Sequence, residues 1–92
     1  MKPHFEWREE KAIRNRKDHR VSFDEAASVF DDPLLITFPD PNHSETEERY
    51  LSIGISSKGR ILIVSHTDRE DKIRIITARK ATVLERSLHE EK

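Results

Sequence analysis

The chain has 92 residues, of which 34% are hydrophobic, and this predicts a single domain over residues 1–92 with a modest core. It contains no cysteine, which excludes disulfides, thiolate metal sites and a cysteine nucleophile. The start lacks the apolar segment of a secretory signal, and no later apolar run approaches membrane-spanning length. We therefore expect a soluble protein of the cytoplasm that makes no membrane contact.

The net charge of −1 conceals a separation of charge along the chain. Residues 24–48 carry eight acidic residues and no lysine or arginine, whereas basic residues are in excess in residues 1–23 and 49–86. This distribution predicts one surface that attracts a polyanion and another that repels it. An ordinary surface of mixed charge is the alternative that composition leaves open.

The first third of the chain predicts two helices. Residues 8–19 are rich in good helix formers and contain no proline or glycine. Phe5 and Trp7, which precede them, form either a short opening strand or an anchor for the first helix. Ser22 and Glu25 have the spacing of a capping box, and the apolar residues that follow repeat at helical spacing as far as Phe30.

The middle of the chain predicts strands, and its end predicts a third helix. Alternating or continuous apolar residues separated by turns indicate strands at 34–38, 50–55, 61–64 and 72–78. Thr82 and Glu85 form a second capping box, which opens a helix to about residue 90. The predicted fold is α+β, with two N-terminal helices, an antiparallel meander of about four strands, and one C-terminal helix.

Cationic side chains concentrate on or beside the later strands: Lys58, Arg60, Arg69, Lys72, Arg74, Arg79 and Lys80. The guanidinium group matches the oxygens of a phosphate and stays charged at physiological pH. The five histidines are scattered, and no glycine-rich loop or cluster with metal-ligand spacing is evident. We expect neither a metal nor a cofactor.

These residues fit RNA cleavage without a metal. Such cleavage needs a base for the attacking 2′-hydroxyl, an acid for the leaving oxygen, and cations for the phosphorane. His66 suits the first or second role, and Arg74 and Arg79 suit the third. On a regular strand these two arginines point to opposite faces, so either the strand bends or only one contacts RNA. A purely structural role, in which the arginines solvate the sheet or pair with Glu85 and the acidic block, is the alternative.

The order of motifs resembles the BrnT family of toxins over nearly the whole chain. The resemblance rests on the following segments: Phe5-Glu6-Trp7, Lys11, Asn15, His19, Val21-Ser22-Phe23-Asp24-Glu25-Ala26, Phe30-Asp31-Asp32-Pro33, residues 49–54, Gly59-Arg60, residues 66–69, residues 73–81 and Glu85-Arg86. The resemblance implies a RelE-like fold and a ribonuclease that arrests translation. It also implies a BrnA-like antitoxin, which neutralises the toxin and with it represses their operon, so that operator DNA is bound only through the complex.

The residues and the resemblance together give a set of candidate site residues. The catalytic candidates are Arg74, Arg79, His66 and Arg69, and the RNA-binding candidates are Trp7, Lys11, Arg60, Lys80 and His89. Trp7 either stacks on a base or anchors the core. Two departures from the family pattern concern Asp18 and Arg20, where a lysine and a glycine are common around His19, and His89, where a tyrosine is common.

A non-enzymatic alternative remains beside the ribonuclease hypothesis. The chain would then be a binding module, or a degenerate toxin that binds only its antitoxin or nucleic acid. The helix pair of residues 8–30 resembles a helix-turn-helix. Asp24 and Glu25, however, stand near the start of its second helix, where a DNA reader needs donors. Direct DNA readout by this chain alone is therefore not expected.

Overall fold

A computed structural model describes residues 4–41 and 47–90 of the chain. The described elements, in chain order, are β1 (His4–Glu6), α1 (Glu9–His19), α2 (Phe23–Ser28), a 3-10 turn (Val29–Asp31), β2 (Ile36–Pro39), β3 (Tyr50–Ile55), β4 (Ile61–Arg69), β5 (Lys72–Lys80) and α3 (Val83–Glu90). The strands form one sheet in the order β1-β5-β4-β3-β2. The predicted α+β class, with two N-terminal helices and one C-terminal helix, is confirmed.

The predicted sheet needs one correction, because it has five strands where about four were expected. The additional strand is β1, which pairs in parallel with β5, so that Phe5 lies opposite Ile73 and Glu6 opposite Arg74. The other three pairings are antiparallel, as the meander predicts. The sheet is therefore mixed, and of the two alternatives for Phe5 and Trp7, Phe5 lies in an opening strand.

Local sequence signals account for the helix ends. The Ser22 hydroxyl accepts a hydrogen bond from the Glu25 amide at 3.0 Å, which is one half of the predicted capping box. The Glu25 carboxylate, expected to complete the box, binds Ser56 and Arg60 instead. Thr82 and Glu85 make both reciprocal hydrogen bonds at the start of α3. Helix α1 ends at Arg20, which adopts the left-handed conformation with φ of 61°. A non-glycine residue in this conformation costs roughly 1–2 kcal/mol, and the resemblance implies a glycine at this position.

The core lies between α1, α2 and one face of the sheet. Its fully buried residues include Val21, Phe23, Leu62, Val64 and Ile75. No helix among the described residues is long and apolar enough to cross a membrane.

The buried side chain of Asn15 fastens α1 to the free edge of β5. Its amide group donates to the carbonyl of Ala78 and accepts from the Ala78 amide, at 2.9 and 3.1 Å, and also donates to the Val21 carbonyl. Asn15 thus satisfies backbone groups that a further strand would otherwise satisfy.

A bulge in β5 changes the direction of its arginines. Thr77 lies opposite Ser65 and Ile75 lies opposite His66, so Ile76 is an additional residue without a partner in β4. Arg74 and Arg79 therefore lie opposite Thr67 and Ile63, two residues that share one face of β4. The two arginines point to the same face, contrary to the expectation for a regular strand.

Candidate active site

A depression between α1 and the sheet gathers basic side chains from four parts of the chain. It has a volume of about 160 Å³ and is lined by Arg8, Lys11, Glu47, Arg49, Arg69, Arg74, Ile75 and Ile76. We call these residues the cationic depression. Positive side chains outnumber the single carboxylate of this lining by five to one, so the depression favours an anionic ligand.

The fold explains why these residues meet. Arg69 is the last residue of β4 and Arg74 lies on β5, and the pairing of the two strands brings both arginines to one face. Arg49 immediately precedes β3, the neighbour of β4. Arg8 occupies the position that precedes α1 and Lys11 lies in the first turn of that helix, while α1 packs along β5. The candidate site is thus assembled from segments that are distant in sequence.

Carboxylates hold the two strand arginines in place. The guanidinium group of Arg69 donates to both oxygens of Glu47, at 2.7 and 3.2 Å. The Nε of Arg74 donates to Glu6 at 3.0 Å. These pairs are partly open to water, since the side chains of Arg69 and Glu47 are 47% and 39% exposed. Both arginines are therefore accessible to a competing anion.

Glu47 is the carboxylate that lies within the field of several arginines. Its hydrogen bond to Arg69 lowers its pKa, and the charges of Arg69, Arg74 and Arg49 lower it further. Within residues 4–41 and 47–90, neither Lys11 nor Arg49 forms an ion pair. The depression thus combines an ionised carboxylate with two cations that have no carboxylate partner in the described part.

The structure does not bring His66 to the arginines. Its ring is 2% exposed and lies on the helix-facing side of the sheet, in edge-on contact with Phe30 at 5.0 Å. The two ring nitrogens lie within hydrogen-bond distance of Asp68 Oδ1 (2.9 Å) and Ser52 Oγ (2.8 Å). Burial lowers the pKa of His66, although Asp68 opposes this effect. His66 is therefore a neutral, buried group in the core.

Arg79 shares a face with Arg74 but lies far from the cationic depression. Their β4 partners, Thr67 and Ile63, are four residues apart, so a rise of about 3.3 Å per residue separates the two arginines by about 13 Å along the sheet. The Arg79 guanidinium donates two hydrogen bonds of 2.9 Å to the two oxygens of Glu85. These bonds, together with those from Thr82, lower the pKa of Glu85 to about 2. Arg79 thus joins β5 to α3.

The predicted RNA-binding residues are dispersed, and only Lys11 lines the cationic depression. Trp7 packs edge-on against Phe23 at 5.8 Å. Arg60 donates to both carboxylate oxygens of the buried Glu25 and to the Arg20 carbonyl. Two further candidates lie elsewhere: Lys80, exposed at the end of β5, and His89, buried with Nε2 at 2.8 Å from Asp32 Oδ2.

Four residues of this region were not among the candidate site residues predicted from the sequence: Glu6, Arg8, Glu47 and Arg49. Glu47 stands in the acidic block, where nothing distinguishes it from its neighbours. Glu6 and Arg8 reach the site through the parallel pairing of β1 with β5, which leaves no local signal in the sequence. Arg49 was detectable, because it directly precedes the alternating pattern of β3 and ends the acidic block.

The described residues contain no group of three or more histidine, cysteine, aspartate or glutamate side chains placed to hold a metal ion. The fold and the depression thus define a small α+β protein with an arginine-rich surface depression.

Comparison with known families identifies the protein more closely. A family model described as the ribonuclease toxin BrnT of type II toxin-antitoxin systems matches residues 7–85. The chain therefore belongs to the BrnT family of ribonuclease toxins, and the resemblance noted in the sequence is confirmed. Membership in a type II toxin-antitoxin family also implies that an antitoxin is its partner.

A solved structure supports the fold independently. The chain is similar to the crystal structure of the Brucella abortus ribonuclease toxin BrnT, with a TM-score of 0.67 and 19% sequence identity. The match covers 87% of this chain and 97% of that chain. At this identity the likeness shows a shared fold. Comparison with curated protein sequences gives no match.

Proposed function

We propose that the chain is a metal-independent endoribonuclease and that it cleaves RNA at the cationic depression. The observation that carries the proposal is the convergence of Arg49, Arg69, Arg74 and Lys11 beside Glu47. Three guanidinium groups provide the positive charge that a phosphorane needs. The carboxylate and the ammonium group supply a proton acceptor and a proton donor within the same depression.

In the proposed reaction, Glu47 takes the proton of a ribose 2′-hydroxyl as that oxygen attacks the neighbouring phosphorus. The bond between phosphorus and the 5′-oxygen then breaks, and Lys11 gives a proton to the leaving oxygen. The products are a 2′,3′-cyclic phosphate and a 5′-hydroxyl. Arg69 and Arg74 donate to the phosphate oxygens and stabilise the additional negative charge of the transition state.

The ion pairs of the free protein fit this role. A phosphate that binds Arg69 competes with Glu47 for the same guanidinium hydrogens. When Glu47 loses that partner, its pKa rises toward the ordinary value, because Arg69 is the chief cause of the lowering. Substrate binding therefore makes Glu47 a better base at the moment when it is needed.

The biological setting is proposed from family membership. The chain would arrest translation in the cytoplasm, a BrnA-like antitoxin would neutralise it, and the complex of both proteins would repress its operon. The assignment of catalysis to His66 and Arg79 stays a prediction. The geometry favours a structural role for both residues, since each is committed to contacts outside the depression.

The test is cleavage of single-stranded RNA by protein purified free of antitoxin, in the presence of EDTA. Wild type should cleave, and Arg69→Ala should reduce the rate about 100-fold, the usual cost of removing one transition-state donor. Arg86→Ala, which removes an exposed arginine of α3, is the matched control and should cleave as wild type does. Folded wild type that binds RNA but leaves it intact would refute the enzyme and support the binding module.

A further inference from the structure

A groove runs along α1 next to the cationic depression. It has a volume of about 370 Å³ and is lined by Arg8, Glu10, Lys11, Arg14, Asn15, Asp18, His19, Ile76 and Thr77. We call it the α1 groove. Its volume falls in the range of about 300–1,000 Å³ that small-molecule sites occupy. A ligand the size of a nucleotide therefore fits it.

The α1 groove and the cationic depression are continuous. Arg8, Lys11 and Ile76 line both of them. A polymer bound in the depression would therefore extend directly into the groove, whereas a single phosphate would occupy the depression alone. This continuity points to a polymeric ligand.

The bulge of β5 gives the groove an apolar floor. Ile76 is the additional residue of the bulge, and such a residue is redirected relative to its neighbours. Beside Ile76, the side-chain amide of Asn15 is already fully engaged with Val21 and Ala78. An apolar floor with a rigid, satisfied neighbour suits the flat face of a nucleobase better than it suits a phosphate.

The rim of the groove carries exposed charges that are weakly paired. The Nε of Arg14 lies 3.9 Å from Asp18, and the two side chains are 84% and 53% exposed. Arg8 pairs with Glu10 at 2.9 Å, also at the surface. Exposed pairs of this kind contribute little, so the guanidinium group of Arg14 can exchange Asp18 for a phosphate at little cost.

We propose that the α1 groove is a subsite for the nucleotide next to the scissile phosphate of a single-stranded RNA. Its base lies on Ile76 and Thr77, and its phosphate contacts Arg14. This inference rests on the proposed function, because that function supplies the RNA in the neighbouring depression. The base at this position is held by stacking. A dinucleotide supplies the scissile phosphate and this base but lacks the phosphate for Arg14, so tight binding requires a longer substrate.

Binding of uncleavable RNA tests the groove separately from catalysis. The probes are 2′-O-methyl RNAs of randomised sequence, with eight or two nucleotides and a fluorescent label, and their affinity is measured by anisotropy across a salt series. Wild type should bind the octamer at least tenfold more tightly than the dimer. Arg14→Gln should reduce the slope of log K against log salt by about 0.7 for the octamer, as expected for one lost phosphate contact, and leave dimer binding unchanged.

The matched control is Arg16→Gln, on the same helix but lining a different surface depression. It should bind both probes as wild type does. Equal effects of the two substitutions on RNA affinity would overturn the proposal that the α1 groove is a nucleotide subsite. Equal affinity of wild type for octamer and dimer would also overturn it. Cleavage of an all-ribose octamer in EDTA separately tests the proposed function. If wild type binds the octamer as predicted but does not cleave, only the catalytic proposal is lost.

Discussion

Two sets of charged pairs in this small protein differ in what surrounds them. In the first set, Glu25 with Arg60 and Asp32 with His89, the carboxylate side chain is at most 3% exposed and bridges distant elements. In the second set, Arg69 with Glu47 and Arg8 with Glu10, both partners are open to water. In these four pairs, the burial of the carboxylate and its additional partners separate the pairs that hold the fold from those available to a ligand.

In the pair of Glu25 and Arg60, both partners make further hydrogen bonds. Besides its two contacts with Arg60, Glu25 accepts a hydrogen bond from the Ser56 hydroxyl at 2.7 Å. Arg60 also donates to the Arg20 carbonyl. The hydrogen bonds from Arg60 lower the pKa of Glu25 in spite of its burial. A guanidinium group with so many contacts has little freedom to bind RNA.

The largest effect on stability is expected from Arg60→Ala. The substitution leaves a buried carboxylate without its cation, which typically costs about 3 kcal/mol. The free energy of unfolding should fall by that amount in a urea titration with an unchanged m-value. Arg69→Ala, which breaks an exposed pair, should cost less than about 1 kcal/mol. Equal losses in the two variants would break the distinction between the two sets.

A smaller effect is expected from the buried histidine. Burial lowers the pKa of His66 below its ordinary value of 6.5, so the unfolded chain takes up a proton before the folded protein does. His66 therefore contributes stability above pH 6.5 that is lost as the pH falls toward the folded-state pKa. This single group gives a slope no steeper than about 1.4 kcal/mol per pH unit.

Thermal unfolding between pH 7.5 and 5 measures the contribution of His66, and His66→Gln serves as the reference that lacks it. The difference between the two proteins should shrink on acidification. If the difference instead grew as the pH fell, the neutral, buried assignment of His66 would be wrong. The rate of RNA cleavage per folded molecule should be the same in both proteins, because His66 lies in the core and does not line the cationic depression.

Features encoded locally could be predicted from the sequence. The helix caps at Ser22 and Thr82 use residues three apart, and the alternating residues of β3 reveal a half-buried strand without knowledge of its neighbours. Arg69 and Arg74 were also recognisable, because basic residues concentrate near the later strands, whereas Lys11 was indicated by the family resemblance. These signals sufficed for the fold class and for part of the candidate site.

Features that depend on distant pairing could not be predicted. The parallel pairing of β1 with β5 joins Glu6 to Arg74, 68 residues away, and short apolar segments carry no record of such a partner. The bulge at Ile76 contains no glycine that would indicate it in the sequence. The bulge nevertheless places Arg79 on the same face of β5 as Arg74. Whether an arginine already has a buried partner, as Arg60 has in Glu25, likewise follows only from the fold.

The most direct test compares Arg74→Ala with Arg79→Ala, two substitutions of ion-paired arginines on the same face of one strand. RNA cleavage in EDTA and the free energy of unfolding are measured for both. Arg74→Ala should lose about 100-fold in cleavage rate with little change in stability. Arg79→Ala should cleave normally per folded molecule and lose about 1 kcal/mol of stability. Loss of cleavage in a stable Arg79→Ala variant, with Arg74→Ala fully active, would contradict the proposal that cleavage occurs at the cationic depression.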